Sequence, residues 1–184
     1  MARSIYIASP NAGTGKSTVA LGLIVCLTKV VAKVGVFRPF VDSRDEDPFL
    51  NLLLARSGSA TPAAQCIGVT WDEYHAAPEE SLSRIVDAYR AVARDHDVVI
   101  IDGSDFTDVA GTPELDLNAR VAANIGVPVL LVVSGRDAPE DVRASVEVSV
   151  AEIAENHART VAVIANRCPA AARGAVSAAL SGIE

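Results

Sequence analysis

Short apolar runs alternate along the chain with longer stretches in which apolar residues recur every three or four positions. The runs are rich in β-branched residues and too short for helices, so they predict strands at about 3–8, 34–40, 97–102, 127–133 and 160–165. The periodic stretches predict helices at about 16–32, 47–57, 78–95, 113–125, 138–157 and 169–181. Turn chemistry supports this phasing. Thr112 followed by Pro113 starts a helix with proline in its first turn, Gly126 closes that helix before the run VPVLLVV, and Asp137, Ala138 and Pro139 repeat the starting signal. Strands alternating with helices in this way indicate an α/β fold with a doubly wound, mainly parallel sheet. The segment 58–77 is the least regular and reads as a surface excursion or an extra hairpin. No internal repeat or low-complexity tract divides the chain, so residues 1–184 read as a single domain.

Half of the residues are hydrophobic but only 4% are aromatic, so the core is built from Val, Ile, Leu and Ala, as in a parallel sheet buried on both faces. The net charge is −7 and no cluster of Lys and Arg exceeds a pair, which excludes a nucleic-acid partner. Three cysteines, Cys26, Cys66 and Cys168, lack any metal-ligand spacing and read as free thiols of a reducing compartment. With no signal peptide and no run long enough to span a bilayer, a cytoplasmic chain without a membrane partner is expected. The chain stops at Glu184, after the helix that follows Cys168, where a further α/β unit is expected; it reads as the segment of a longer protein.

Candidate chemistry begins at ASPNAGTGKST, from Ala8 to Thr18. The run SIYIA precedes it and a helical pattern follows it, which is the strand–turn–helix setting of a P-loop. Asn11, Ala12, Gly13, Thr14, Gly15, Lys16, Ser17 and Thr18 are the candidate nucleotide-binding residues. Backbone N–H groups from about Ala12 to Ser17 would face phosphate oxygens, aided by the positive end of the helix dipole. Lys16 would reach the same oxygens, and the Ser17 hydroxyl is suited to a Mg²⁺ shell. The full pattern G-x-x-x-x-G-K-[ST] has glycine where this chain has Pro10. The bland alternative is a glycine-containing turn with a surface lysine. Replacing Lys16 by alanine is expected to leave the fold nearly unchanged, since the side chain is read as facing the ligand cavity.

A second marker is HDVVIIDGSDF, in which an apolar strand delivers Asp102 at its C-terminal end. A carboxylate there holds Mg²⁺ beside a P-loop, or simply ends a buried strand. Asn166 follows the strand VAVIA, where an amide either reads an adenine edge or caps a turn. Guanine recognition needs an acidic residue two positions later, and Cys168 stands there, so ATP is favoured over GTP. Arg38 ends the second strand, either near the γ-phosphate or paired with Asp42, Asp45 or Asp47; Asp47 itself reads as an N-cap or as a metal-side carboxylate. His75, His96 and His157 show no ligand spacing and read as ordinary packing or surface residues.

Together ASPNAGTGKST, VGVFRPF, VVIIDGSDFTD, ELDLNARVAANIGVPVLLVV and VIANRC resemble the dethiobiotin-synthetase-like P-loop family over nearly the whole chain. More narrowly, GSDFTD and NARVAANIGVPVLLVV resemble the N-terminal domain of long-form bacterial phosphate acetyltransferases, closest to the actinobacterial type. That resemblance implies a parent enzyme interconverting acetyl-CoA plus phosphate with acetyl phosphate plus CoA in a C-terminal acetyltransferase domain outside this segment. It also implies metabolite regulation and homo-oligomer assembly here, with no catalytic residue for acyl transfer. Weak binding of ATP and Mg²⁺ is expected from the residues themselves, because Gly13, Gly15, Lys16 and Ser17 keep the anion cradle while Pro10 removes one glycine. A freestanding dethiobiotin synthetase is the alternative. Against it, that family carries Lys-Pro where this chain has Arg38-Pro39 and a glycine-rich stretch where it has Ser104-Asp105, and Asp105 and Asp108 would repel an anionic substrate. A third reading is a structural oligomerisation module that binds no small molecule.

Overall fold

The computed structural model describes residues 2–104 and 114–183. The expectations at Asp105, Asp108, Thr112 and Pro113 lie outside the described residues. Six parallel strands form one sheet: β1 (Arg3–Ala8), β2 (Val34–Val41), β3 (Ile67–Thr70), β4 (Val98–Asp102), β5 (Val129–Ser134) and β6 (Thr160–Asn166), in the order β3-β2-β4-β1-β5-β6. The helices are α1 (Lys16–Leu27), α2 (Pro48–Ser57), α3 (Trp71–Ala76), α4 (Pro78–Arg94), α5 (Glu114–Ile125), α6 (Pro139–Glu155) and α7 (Arg173–Ala179). Helices α1 and α2 pack together, and α4, α5 and α6 pack in a second row. Connections from β1 to β2 and from β4 to β5 run in opposite directions along the sheet, so right-handed crossovers put the two rows on opposite faces.

The five expected strands are present, and their central members are buried on both faces: Val99, Ile100, Ile101, Leu131 and Val132 are inaccessible to solvent. The sixth strand, β3, arises inside the segment read as an excursion or hairpin. It has only four residues, and Gly68 interrupts its apolar run. That glycine is required by close packing, because a Cβ there would collide with the carbonyl of Pro39 on β2 and lie 2.8 Å from Ile85. Helix α1 ends at Leu27 rather than near residue 32, and α7 spans only Arg173–Ala179 after a 3-10 turn at Ala170–Ala172. Both overestimates came from apolar periodicity continuing into turns.

Thr70 caps α3 through a reciprocal box: its hydroxyl accepts from the Glu73 N–H, and the Glu73 carboxylate accepts from the Thr70 N–H at 2.8 Å. Arg44 and Arg84 approach the same carboxylate at 2.7 and 2.8 Å. The Thr70 N–H first, and then the guanidinium groups, hold its pKa down to about 2. A carboxylate depressed in the folded state adds stability above its unfolded pKa and loses it as pH falls from about 4.5 towards 2. Glu73→Gln keeps an acceptor for the cap but removes the charge. It is expected to lower stability by about 1 kcal/mol at neutral pH, since the arginines are partly exposed, and to match wild type near pH 2. Urea unfolding at both pH values checks this; an equal deficit at each would remove the electrostatic account.

Candidate functional site

The P-loop leaves the carboxyl end of β1 at a buried serine. Ser9 Oγ donates to the Asn11 carbonyl at 2.7 Å and lies 2.9 Å from Thr14 Oγ1, so two hydroxyls brace the turn from inside. Gly13 and Gly15 have φ of +74° and +85°, a left-handed conformation in which a side chain is strained. Gly15 also caps α1 with no side-chain acceptor, which leaves the first N–H groups of that helix open to an anion. A Cβ on Gly15 would lie 2.5 Å from Asn166 Nδ2 and 3.4 Å from Arg167 Nε. Asn11, Ala12, Gly13 and Thr18 are exposed, whereas Thr14 and Lys16 are buried.

The strand register places Ile7 of β1 beside Asp102 of β4. Ser17 Oγ consequently donates to Asp102 Oδ2 at 3.3 Å, and Lys16 Nζ donates to Asp102 Oδ1 at 2.8 Å and to the carbonyl of Gly103. The pairing of Ser17 with Asp102 expected from the sequence is therefore present. The expectation that Lys16 faces the ligand cavity and not the core needs correction: its side chain and that of Asp102 are both fully buried. Lys16→Ala would leave a buried carboxylate with longer contacts only, so the fold is sensitive to it.

Arg38 closes the other side of the carboxylate. Its Nε lies 3.5 Å from Asp102 Oδ2, and its Nη1 pairs with Asp47 Oδ2. Of the three acidic partners open to Arg38 in the sequence, Asp47 is the one it takes. The other oxygen of Asp47 accepts from the Leu50 N–H at 2.8 Å, which makes it the N-cap of α2. Asp47 is thus held by Arg38 and α2 instead of facing Ser17, and a metal-side role does not follow from this arrangement. Asn166 Nδ2 donates to the Thr14 carbonyl at 2.8 Å, so one of its amide hydrogens is spent on bracing the P-loop and not on a base edge.

Sequence reading did not single out Ser9, Tyr6, Asn118 or Arg167. Asn118 is wholly buried; its Oδ1 accepts from Tyr6 Oη at 2.6 Å and from the Ser104 N–H at 3.0 Å, and its amide donates to the Glu114 carbonyl at 2.9 Å. Burial first, and then the charges of Asp102 and Glu114, push the Tyr6 hydroxyl well above its usual pKa, so it stays a donor. The signal for Asn118 was an amide on the apolar side of an amphipathic helix. Arg167 has φ of +59° and folds its guanidinium back over Gly15. His96 is pinned by Val92 O at 2.7 Å and Ser59 Oγ at 2.9 Å, a packing role as read. All three cysteines are free, and burial pushes the Cys66 thiol up to about 11.

Among the described residues no three His, Cys, Asp or Glu side chains converge on a metal position. Mg²⁺ does not need such a cage, because it binds through one or two protein oxygens together with substrate phosphates and water. Ser17 Oγ and Asp102 Oδ2, 3.3 Å apart beside the first turn of α1, which no side chain caps, fit that donor set. Among the described residues no helix is long and apolar enough to cross a membrane.

A family model described as an AAA domain matches residues 3–183. A phosphate acetyltransferase of Nitratidesulfovibrio vulgaris is 28% identical over 186 residues, covering 91% of this chain and 25% of that protein. One from Synechocystis sp. is 27% identical over 140 residues, covering 72% of this chain and 20% of that protein. The chain therefore spans a quarter or less of the length of these curated relatives. Among solved structures, the signal recognition particle receptor FtsY of Elizabethkingia anophelis superposes with a TM-score of 0.59 at 21% identity, covering 98% of this chain and 56% of FtsY. The ATP complex of a Cyanothece McdA variant gives 0.55 at 13% identity, covering 100% of this chain and 81% of McdA. These likenesses show the P-loop α/β fold.

Proposed function

We propose, from the premise that this chain belongs to the AAA-domain family whose model matches residues 3–183, that it is the N-terminal regulatory and assembly domain of a phosphate acetyltransferase and binds a nucleotide weakly. The observation that carries the nucleotide part is the convergence of Lys16 and Ser17 on Asp102 at the carboxyl ends of two adjacent strands, the position where open α/β sheets bind ligands. The acetyltransferase part rests on the relatives of that name, whose lengths leave three quarters or more for other segments. In this reading the conversion of acetyl-CoA and phosphate to acetyl phosphate and CoA takes place in a C-terminal domain, and this domain contributes regulation and contacts between copies in a homo-oligomer of the cytoplasm.

The residues hold the ligand in stages. N–H groups of the Gly13–Ser17 turn would donate to the phosphate oxygens, and Ser17 and Asp102 would hold Mg²⁺, which when bound neutralises β- and γ-phosphate oxygens. To reach a phosphate, Lys16 must exchange its bond to Asp102 for one to the ligand. An exchange of partners yields less than a new contact, which is the physical reason for weak affinity. Arg38 is already held between Asp47 and Asp102, and among the described residues no unspent base stands where it would activate water, so little hydrolysis is expected.

Calorimetric titration with Mg·ATP is the test. The chain is expected to bind, with ATP preferred over GTP, and Lys16→Ala is expected to weaken binding about tenfold to a hundredfold, or about 1.5–3 kcal/mol. Circular dichroism of the variant separates lost binding from lost folding. Equal affinities for a folded variant and wild type, or no heat at millimolar ATP, would leave the site as scaffolding. The chain alone is expected to form no acetyl phosphate; turnover at the rate of a complete enzyme would overturn the assignment of the chemistry elsewhere.

A further inference from the structure

A cavity of about 900 Å³ opens at the amino-terminal edge of the sheet, opposite the P-loop. Pockets that bury small ligands span about 300–1,000 Å³ and are largely apolar with a few polar groups. Here the starts of β1, β4 and β5 meet the carboxyl ends of α4 and α5. Val31, Ala93, Val98, Ile125 and Val127 supply partly buried apolar surface continuous with the core. Around it stand three arginines, Arg3, Arg90 and Arg94, against a single carboxylate, Asp97.

The charge is the informative feature, because the chain as a whole carries −7. Among the described residues Arg3 and Arg94 form no ion pair, and Arg90 has only an exposed contact of 3.8 Å with Asp87, which contributes little. Asp97 turns one oxygen to the Lys33 N–H at 3.2 Å. Each of the two helix ends brings a partial charge of about −0.5, so helix dipoles and Asp97 together do not cancel three guanidinium groups. Tyr89 Oη donates to Ser4 Oγ at 2.8 Å, which leaves the Ser4 hydroxyl hydrogen to donate into the cavity. His96, whose ring nitrogens are both engaged, is a fixed wall.

We propose that this cavity is a second small-molecule site, for an anion with a short apolar body. A carboxylate or phosphate monoester would meet Arg3, Arg90 and Arg94 with its charged end and lay its carbon skeleton on Ala93, Ile125 and Val127. The site gives a place and a ligand class to the metabolite regulation proposed above; it rests on that reading for its purpose and not for its binding.

The test is amide NMR of the isotope-labelled chain titrated with phenyl phosphate, benzoate and the neutral analogue benzyl alcohol. At least one anion is expected to shift the Val98, Gly126 and Val127 amides saturably, with Gly13 and Gly15 staying in place under benzoate and any phenyl phosphate shift at those two glycines saturating independently. A stronger response to phenyl phosphate assigns a phosphate ester, and a stronger response to benzoate assigns a carboxylate. The double substitution Arg3→Gln/Arg94→Gln, at exposed positions, is expected to weaken the anion about tenfold or more and to leave Mg·ATP binding unchanged. Lys16→Ala is expected to do the reverse. An unchanged anion affinity in the double variant, equal binding of benzyl alcohol, or no shift at about 10 mM of either anion overturns the proposal. If the anion binds and Mg·ATP does not, the nucleotide reading fails and this site stands.

Discussion

Asp102→Ala is expected to destabilise the fold by about 3–5 kcal/mol, the usual cost of removing one member of a buried ion pair. The side chains of Asp102 and Lys16 are both inaccessible to solvent and meet at 2.8 Å, and Arg38 approaches the same carboxylate at 3.5 Å. Removing the carboxylate takes a negative charge from between two cations without returning them to water. For a chain of this size the loss corresponds to roughly 6–20 °C in melting temperature. The companion variant Lys16→Met/Asp102→Leu removes both charges and fills their space, so it is expected to recover most of the loss, because a buried pair is worth little more than apolar side chains of similar volume. Urea unfolding of the single and double variants decides the matter. A loss below about 1 kcal/mol for Asp102→Ala would mean that water reaches Lys16 and that the pair is not a buried one.

Asn118→Leu is the second large effect. It leaves the Tyr6 hydroxyl and the Ser104 N–H, which now donate at 2.6 and 3.0 Å, without their acceptor in the interior. Each stranded donor costs about 1–3 kcal/mol, whereas replacing both members of a buried hydrogen bond is nearly neutral. Tyr6→Phe/Asn118→Leu is accordingly expected to be more stable than Asn118→Leu alone, and a double-mutant cycle reads the difference. The network also sets the chain direction just past Asp102: a Cβ on Gly103 would lie 2.5 Å from Asn118 Oδ1 and 2.7 Å from the Ile7 carbonyl. A variant whose stability matches wild type would show that the cavity repacks and that Asn118 is not needed to hold this turn.

The elements legible in the sequence are those whose signal is local. β4 was visible as four apolar residues ending in an aspartate, and α4 as a long amphipathic pattern behind a proline. β3 was not, because its four residues are extended only where they pair with Arg38 and Phe40 of β2, and isolated they lack the length to reveal a period. The candidate site divides in the same way. Gly13, Gly15, Lys16, Ser17 and Asp102 announced themselves through spacing, since a phosphate cradle needs consecutive residues and a strand end needs one carboxylate.

What the sequence determined by itself was therefore the alternation of strands and helices, the P-loop, and an aspartate at the end of an apolar strand, all matters of near neighbours. Tertiary structure decided which partners the charged side chains take. Nothing local states that Lys16 is sealed against a residue 86 positions away, that Arg38 chooses Asp47 while also reaching Asp102, or that Tyr6 and Asn118, 112 positions apart, share a proton donor and acceptor. These contacts exist because β4 pairs in parallel with β1 on one side and β2 on the other, while α5 packs on β1, so that residues far apart in sequence meet where buried charges and polar groups are stable only with partners.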